Sequence, residues 1–171
     1  MKTLLSKPLF ILLMLLSISL AAQTGDEDED DDGEDLPQVM VTAASNLAAD
    51  GVTAEREKRV IMMMVSQEFC PFCEDIKRDV IRPMLLGGDF KDQLMIRELS
   101  IDPGVELTDF AGAKRSGIDL AVEYNADLTP TLLFLSSEGR ELSNRIIGYT
   151  TPAFFYYYVE ESIKSAIQAL D

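Results

Sequence analysis

From residue 45 onward the chain alternates between apolar runs and segments whose apolar residues recur every three or four positions. Residues 45–59 read as a helix with Leu47, Ala48 and Val52 on one side. Residues 60–65 (VIMMMV) form a continuous apolar run bounded by charges, the pattern of a strand covered on both faces. Ile76, Val80 and Ile81 then repeat at helical spacing, and Pro83 is expected to interrupt or end that helix. Residues 94–101 predict a second strand, closed by Asp102-Pro103-Gly104. Residues 109–116 are polar and contain a glycine, and a helix follows over 117–125. Residues 131–135 (TLLFL) predict a third strand, Ser136-Ser137-Glu138-Gly139 a hairpin turn, and residues 141–147 a fourth strand. Thr151-Pro152 opens a last helix, with Thr151 as its cap and the proline in its first turn. Phe155, Val159, Ile163, Ala166 and Leu170 run down one face of it. Helices alternating with strands, then a hairpin and a terminal helix, make an α/β sandwich.

The chain before residue 45 has a different character. Residues 1–7 carry two lysines, residues 8–20 are an apolar run, and Ser19-Leu20-Ala21-Ala22-Gln23 offers small residues for cleavage. The run is too short for a confident membrane span, which needs roughly 20 apolar residues. Residues 1–22 are therefore expected to be a cleaved export signal; an uncleaved anchor is the alternative. No cysteine follows the run to take a lipid. Residues 24–35 (TGDEDEDDDGED) hold nine carboxylates and no apolar side chain, so like-charge repulsion predicts a disordered tail. It reads as a solubilising bristle rather than a calcium site, since no regularly spaced loop of calcium ligands appears. Residues 36–44 read as a linker or a short strand. The expected organisation is thus a signal at 1–22, an acidic tail and linker at 23–44, and one domain at 45–171. After removal of the signal no stable membrane insertion is expected.

Composition narrows the chemistry. With 171 residues and 47% apolar content the chain can bury one core. The net charge of −15 argues against nucleic acid or an anionic membrane surface as partner. Histidine is absent, which removes the commonest general base and metal ligand together. Met62, Met63 and Met64 alternate across a strand and cannot converge on one ion, so they are assigned to the core.

The only two cysteines, Cys70 and Cys73, lie within QEFCPFCEDIKRDV. Structural zinc wants four Cys or His ligands, and this chain offers two thiols. An iron–sulfur cluster bridging two copies stays open. A purely structural bridge would close too small a loop to stabilise much. Redox chemistry fits better, because export places the pair where disulfides persist. Cys70 falls where a buried strand ends and a helix begins, with Pro71 suited to the first turn; free N–H groups and the helix dipole there favour a thiolate. Cys70 would then attack a partner's disulfide, and Cys73, one turn later, would resolve the mixed disulfide.

The strand–Cys-Pro-Phe-Cys–helix segment, then Leu-Thr-Pro-Thr-Leu-Leu-Phe-Leu at 128–135, Gly139 in a hairpin and Gly148 before a last helix, resembles the thioredoxin superfamily. More narrowly, it is similar to exported thioredoxin-like proteins of the SoxW and DsbC/DsbG-related kind. The resemblance covers about residues 45–170. It implies a thioredoxin fold, a central mixed β-sheet flanked by helices, with an insertion between the CxxC helix and a cis-proline strand. It implies a cis Thr129–Pro130 bond lying against the cysteines, and a Thr129 backbone that pairs with an extended substrate. Phe69, Pro71 and Phe72 complete the implied substrate-binding set. No cofactor is implied beyond the redox-active Cys70–Cys73 disulfide, and no metal. The implied partners are protein thiols and disulfides, and an upstream membrane or exported electron donor.

Three departures from the thioredoxin pattern stand out. The buried aspartate that in thioredoxins lies six residues before the first cysteine is Met64 here, so either Glu68 with a water moves the proton of Cys73, or resolution is slower. The usual tryptophan before the first cysteine is Phe69. The stretch from Cys73 to Pro130 is long, with residues 103–117 as the insertion, expected to shape partner choice or to be a passive loop. Pro-Phe between the cysteines resembles the Pro-Tyr of glutaredoxins, while strong oxidants of the DsbA type use a histidine that is missing here. Glu68, Glu74 and Asp75 surround the pair with negative charge, which opposes a thiolate. These features point to an exported, periplasmic disulfide reductase rather than an oxidant. The segment before the domain is too short for the dimerisation module of an isomerase. The alternative is a binding or assembly factor on the same fold, whose cysteines sense redox state or carry a metal.

Overall fold

The computed structural model of the chain describes residues 40–170. The expected signal, the acidic run and the first part of the linker lie outside the described residues. Among those described, no helix is long and apolar enough to cross a membrane.

The elements run α1 (Leu47–Glu57), β1 (Val60–Ser66), α2 (Pro71–Ile76), a π-helical turn (Lys77–Ile81), α3 (Arg82–Gly87), β2 (Leu94–Ser100), β3 (Glu106–Thr108), β4 (Lys114–Ser116), α4 (Gly117–Glu123), β5 (Thr131–Leu135), β6 (Ile146–Ile147) and α5 (Pro152–Gln168). The main sheet has the order β2-β1-β5-β6. β1 runs parallel to β2 and antiparallel to β5, and β5 is antiparallel to β6. This is the mixed sheet flanked by helices that the thioredoxin resemblance implies. β1 is buried along its whole length, as an unbroken apolar run requires when both faces are covered.

Strand alternation divides the core in two. Val60, Met62, Met64, Leu94, Ile96, Leu132 and Phe134 pack with Ile76, Val80 and Ile81 and with Phe155, Val159, Ile163 and Ala166 of α5. Ile61, Met63, Val65, Met95, Leu99, Leu133 and Leu135 pack on the other face with residues of α1 and α4. The three consecutive methionines are therefore core, pointing alternately to opposite sides.

Several local expectations need correction. In α1 the buried face is Leu47, Gly51 and Ala54, while Val52 is exposed. Spacings of four and three select that face, and a side chain at 51 would collide with the carbonyl of Ser137. Of the two outcomes expected at Pro83, the helix after the cysteines is interrupted there and not ended. It passes through a π turn closed by Arg82 N–H on the Lys77 carbonyl, restarts with Pro83 in the first turn of α3, and ends where Gly88 turns left-handed at φ 74°. The fourth strand shrinks to Ile146–Ile147 plus an isolated Leu135–Glu141 bridge. Ser143 donates instead to the Ser162 carbonyl of α5, and the Arg145 guanidinium turns to the carbonyls of Tyr124 and Asn125. Thr151 has a left-handed backbone and makes no side-chain cap, although Pro152 does occupy the first turn.

The insertion is a folded hairpin of β3 and β4, with Leu107 buried in the second core and Asp109 accepting from Ala113 N–H across its tip. Before α1 the backbone of residues 42–44 runs beside β2: Glu98 N–H donates to the Thr42 carbonyl and Ala44 N–H to that of Glu98.

Candidate active site

The site grows from the end of β1. After Ser66 the chain turns through residues 67–69, and Phe69 takes a left-handed backbone of φ 58°, rare for a bulky aromatic residue. Its ring is 90% exposed. Cys70 follows with an extended backbone and caps α2: its carbonyl accepts the N–H groups of Cys73 and Glu74, and its Sγ accepts the Cys73 N–H at 3.2 Å. Pro71 occupies the first helical position, where no N–H is needed. Cys70 and Cys73 are joined by a disulfide. The two sulfurs are not equivalent, because Cys73 shares the inner helix face with Ile76 and is fully buried, whereas Cys70 keeps an exposed edge of 8%.

Thr129 and Pro130 reach the same end of the sheet. In the β1–β5 register Val65 stands opposite Thr131, so the residues before Thr131 lie beside the chain leaving β1 toward Cys70. The Thr129–Pro130 peptide is cis. The Pro130 carbonyl accepts the Gly148 N–H at 2.8 Å, and the Thr131 hydroxyl donates to the Leu128 carbonyl. Among the described residues, the N–H and carbonyl of Thr129 have no backbone partner. Phe69, Phe72 and Leu128 are all exposed large apolar side chains.

Beside Cys70 opens a cleft of about 680 Å³, whose lining includes Ser66, Glu68, Lys77, Glu98 and Asp102. Glu68 is exposed, and its backbone N–H is held by the Asp102 carboxylate at 2.9 Å. Asp102 also accepts the Ser100 hydroxyl at 2.6 Å, which ties the loop after β2 to the loop before Cys70. On the cleft floor the Glu98 carboxylate accepts the Ser66 hydroxyl at 2.6 Å and pairs with the Lys77 ammonium at 2.7 Å. Burial alone would lower Lys77, but its bonds to Glu98 and Glu74 prevail and hold it above its ordinary value. Of the three carboxylates expected to oppose a thiolate, Glu74 is paired with Lys77 and Asp75 with Arg78. Their local charge is thereby offset. Met64 is fully buried in the first core.

Ser66, Lys77, Glu98 and Asp102 were not anticipated as site residues. A signal for Glu98 was present: Leu94, Ile96 and Glu98 alternate on one side of β2, so a carboxylate continues an otherwise apolar face. What no pattern indicated was that the parallel register brings Glu98 beside Met64 and under the CxxC helix.

A strand ending in a Cys-Pro-Phe-Cys helix start, within a β2-β1-β5-β6 mixed sheet, defines a thioredoxin-like class. The family model described as a thioredoxin-like domain matches residues 47–162, and the chain belongs to that family. Among solved structures, the chain is similar to a thioredoxin from Thermus thermophilus, at 19% identity over 76% of this chain and 91% of that one, with a TM-score of 0.53. The periplasmic thioredoxin SoxS of Paracoccus pantotrophus matches at 20% identity over 63% of this chain and 99% of that one, with a TM-score of 0.41. The C-terminal domain of Neisseria meningitidis DsbD matches at 14% over 67% and 90%, with a TM-score of 0.47. No curated protein matches the chain.

Proposed function

We propose that the protein is an exported thiol–disulfide oxidoreductase that reduces protein disulfides in the periplasm through Cys70 and Cys73. The observation that carries this reading is the inequality of the two sulfurs. Cys70 alone offers an edge to a partner, and the backbone N–H of Cys73 points at its Sγ, where it would stabilise a thiolate. In the reduced protein the Cys70 thiolate attacks one sulfur of a substrate disulfide and displaces the other as a thiolate. Cys73 loses its proton and attacks Cys70 Sγ, so the second substrate thiolate departs as the Cys70–Cys73 bond forms. The substrate gains two electrons and the protein loses them; an exported or membrane electron donor then restores the dithiol.

Phe69, Pro71 and Phe72 supply the apolar rim, and the unpartnered backbone of Thr129 offers an N–H and a carbonyl to an extended substrate segment. Glu68, at the cleft mouth, is less suited to serve Cys73, because its side chain faces solvent while Cys73 is buried. The reductive direction rests on the absence of histidine from the chain, since an oxidant needs its reduced thiolate over-stabilised.

Insulin reduction by wild type and Cys70→Ser tests the reading. The variant should fall to background, a loss of at least about a hundredfold. Equal rates near background would leave a binding or assembly factor instead. A Cys73→Ser variant should accumulate mixed disulfides through Cys70 and so identify the partners.

A further inference from the structure

Resolution demands that a fully buried thiol lose its proton, and burial in apolar surroundings opposes that loss. On the same strand face as Ser66 stands Met64, which has no group to accept a proton. One strand over, Glu98 is the register partner of Met64, so its side chain leaves the sheet toward the same helix. Lys77 fixes where the carboxylate sits. It follows Cys73 by four residues, one helical turn on the same face, and its ammonium holds Glu98 at 2.7 Å. The Ser66 hydroxyl, 2% exposed, completes the carboxylate's shell, and the cleft containing all three residues also touches Cys70.

We infer that Glu98, acting through Ser66 and the cleft, is the positioning residue that takes up the Cys73 proton during resolution and returns it when the disulfide is reduced. This rests on the oxidoreductase reading. In the resolving step the S–H proton of Cys73 passes toward the Glu98 carboxylate, the Cys73 sulfur bonds to Cys70 Sγ, and the Cys70–substrate bond breaks with its electron pair on the departing thiolate. Other carboxylates facing the cleft are engaged or exposed: Glu74 is 70% exposed and shares Lys77, Asp102 binds the Glu68 N–H and the Ser100 hydroxyl, and Glu68 faces solvent.

A chromophoric aromatic disulfide separates the steps, because Cys70 attack releases one thiolate and Cys73 resolution releases the second. Glu98→Gln keeps an acceptor for Ser66 and the backbone bonds to residues 42 and 44. It should leave the first phase within about twofold and slow the second roughly tenfold near neutral pH, the gap closing in alkali where Cys73 ionises unaided. Ser66→Ala should slow the second phase less, by about threefold. With Cys70→Ser as background, the thiolate absorbance of Cys73 reports coupling without any turnover. There Glu98→Gln should shift the Cys73 titration to lower pH, because a negative neighbour has been removed. Slower resolution together with easier ionisation is a pairing that a packing defect does not produce. Unchanged second phase and unchanged titration in Glu98→Gln would overturn the inference. An inactive wild type in the insulin assay would instead sink the oxidoreductase reading, while the titration still decides whether Glu98 and Cys73 are coupled.

Discussion

Arg97 and Glu98 are neighbours in β2, yet they do opposite things. Arg97 leaves the sheet toward α1 and is clamped by Asp50 through two bonds, Nε to Oδ2 at 2.9 Å and Nη2 to Oδ1 at 2.6 Å. Both side chains are less than one-fifth exposed, and the pair is flanked by the apolar second core. Glu98 leaves toward the start of the π-helical turn that follows α2 and meets Lys77 there and Ser66 of β1, one bond each, at a cleft that reaches Cys70. The lesson lies in the geometry of satisfaction. Asp50 commits both of its carboxylate oxygens to Arg97 and serves as a brace, whereas the ammonium and the hydroxyl both bond Glu98 Oε1 and leave Oε2, among the described residues, unbonded and able to take a proton.

The comparison can be broken most severely at Met64. A Met64→Asp variant would place a second carboxylate in the first core opposite Glu98, and should cost about 4 kcal/mol in urea unfolding at neutral pH. A neutral cost would mean that this face is already wet beneath the helix. Next comes the brace. Asp50→Ala strands a partly buried guanidinium and should destabilise by about 2 kcal/mol while leaving both thiolate-release phases unchanged. A change in the resolving phase would show that the two pairs are not independent.

Tyr124 sharpens the contrast on the Arg97 side. It donates to the Gly139 carbonyl at 2.7 Å, and burial, reinforced by Glu123, Glu141 and Asp109, pushes its pKa up to about 12. Unfolded tyrosine titrates near about 10, so the folded state holds this proton more tightly. The associated stability is complete below about pH 10 and is lost as pH rises toward about 12. Tyr124→Phe should cost about 1 kcal/mol at neutral pH and flatten the fall in stability over that alkaline window. An unaltered alkaline profile would assign the fall to other tyrosines, of which Tyr156 is also pushed up to about 12, chiefly by burial. The smallest stability effect is expected for Glu98→Gln, under about 1 kcal/mol, because both members of that ion pair remain partly solvated. A cost as large as that of Asp50→Ala would make Glu98 a second brace.

Elements whose burial follows from a strict period were legible. Residues 60–65 had no polar position at which water could enter, so a doubly covered strand was the only economical placement. The alternation of the three methionines across the sheet followed from strand geometry alone. Phe155, Val159, Ile163 and Ala166 were legible for the same reason at helical period. Readings failed where a long-range partner outweighed local preference. Val52 lost to Gly51 because α1 approaches Ser137 too closely for any side chain there. Residues 141–145 left the sheet because Ser143 and Arg145 found better acceptors on α5 and at the end of α4. Thr151 gave up its capping role when its backbone turned left-handed. The cysteines were visible because they are close in sequence; the polar floor beneath them comes from residues 66, 77 and 98, which no local window contains.

Residue order alone determined which segments could be buried, where β1, β2, α4, β5 and α5 would begin, and that two thiols sit one helical turn apart at a helix start. Those are short-range consequences of periodicity and steric preference. Only the tertiary structure decided which sulfur faces outward, and that a carboxylate from the neighbouring strand lies under the CxxC helix. The parallel register of β1 and β2 depends on packing across both faces at once, and no stretch of sequence specifies that by itself.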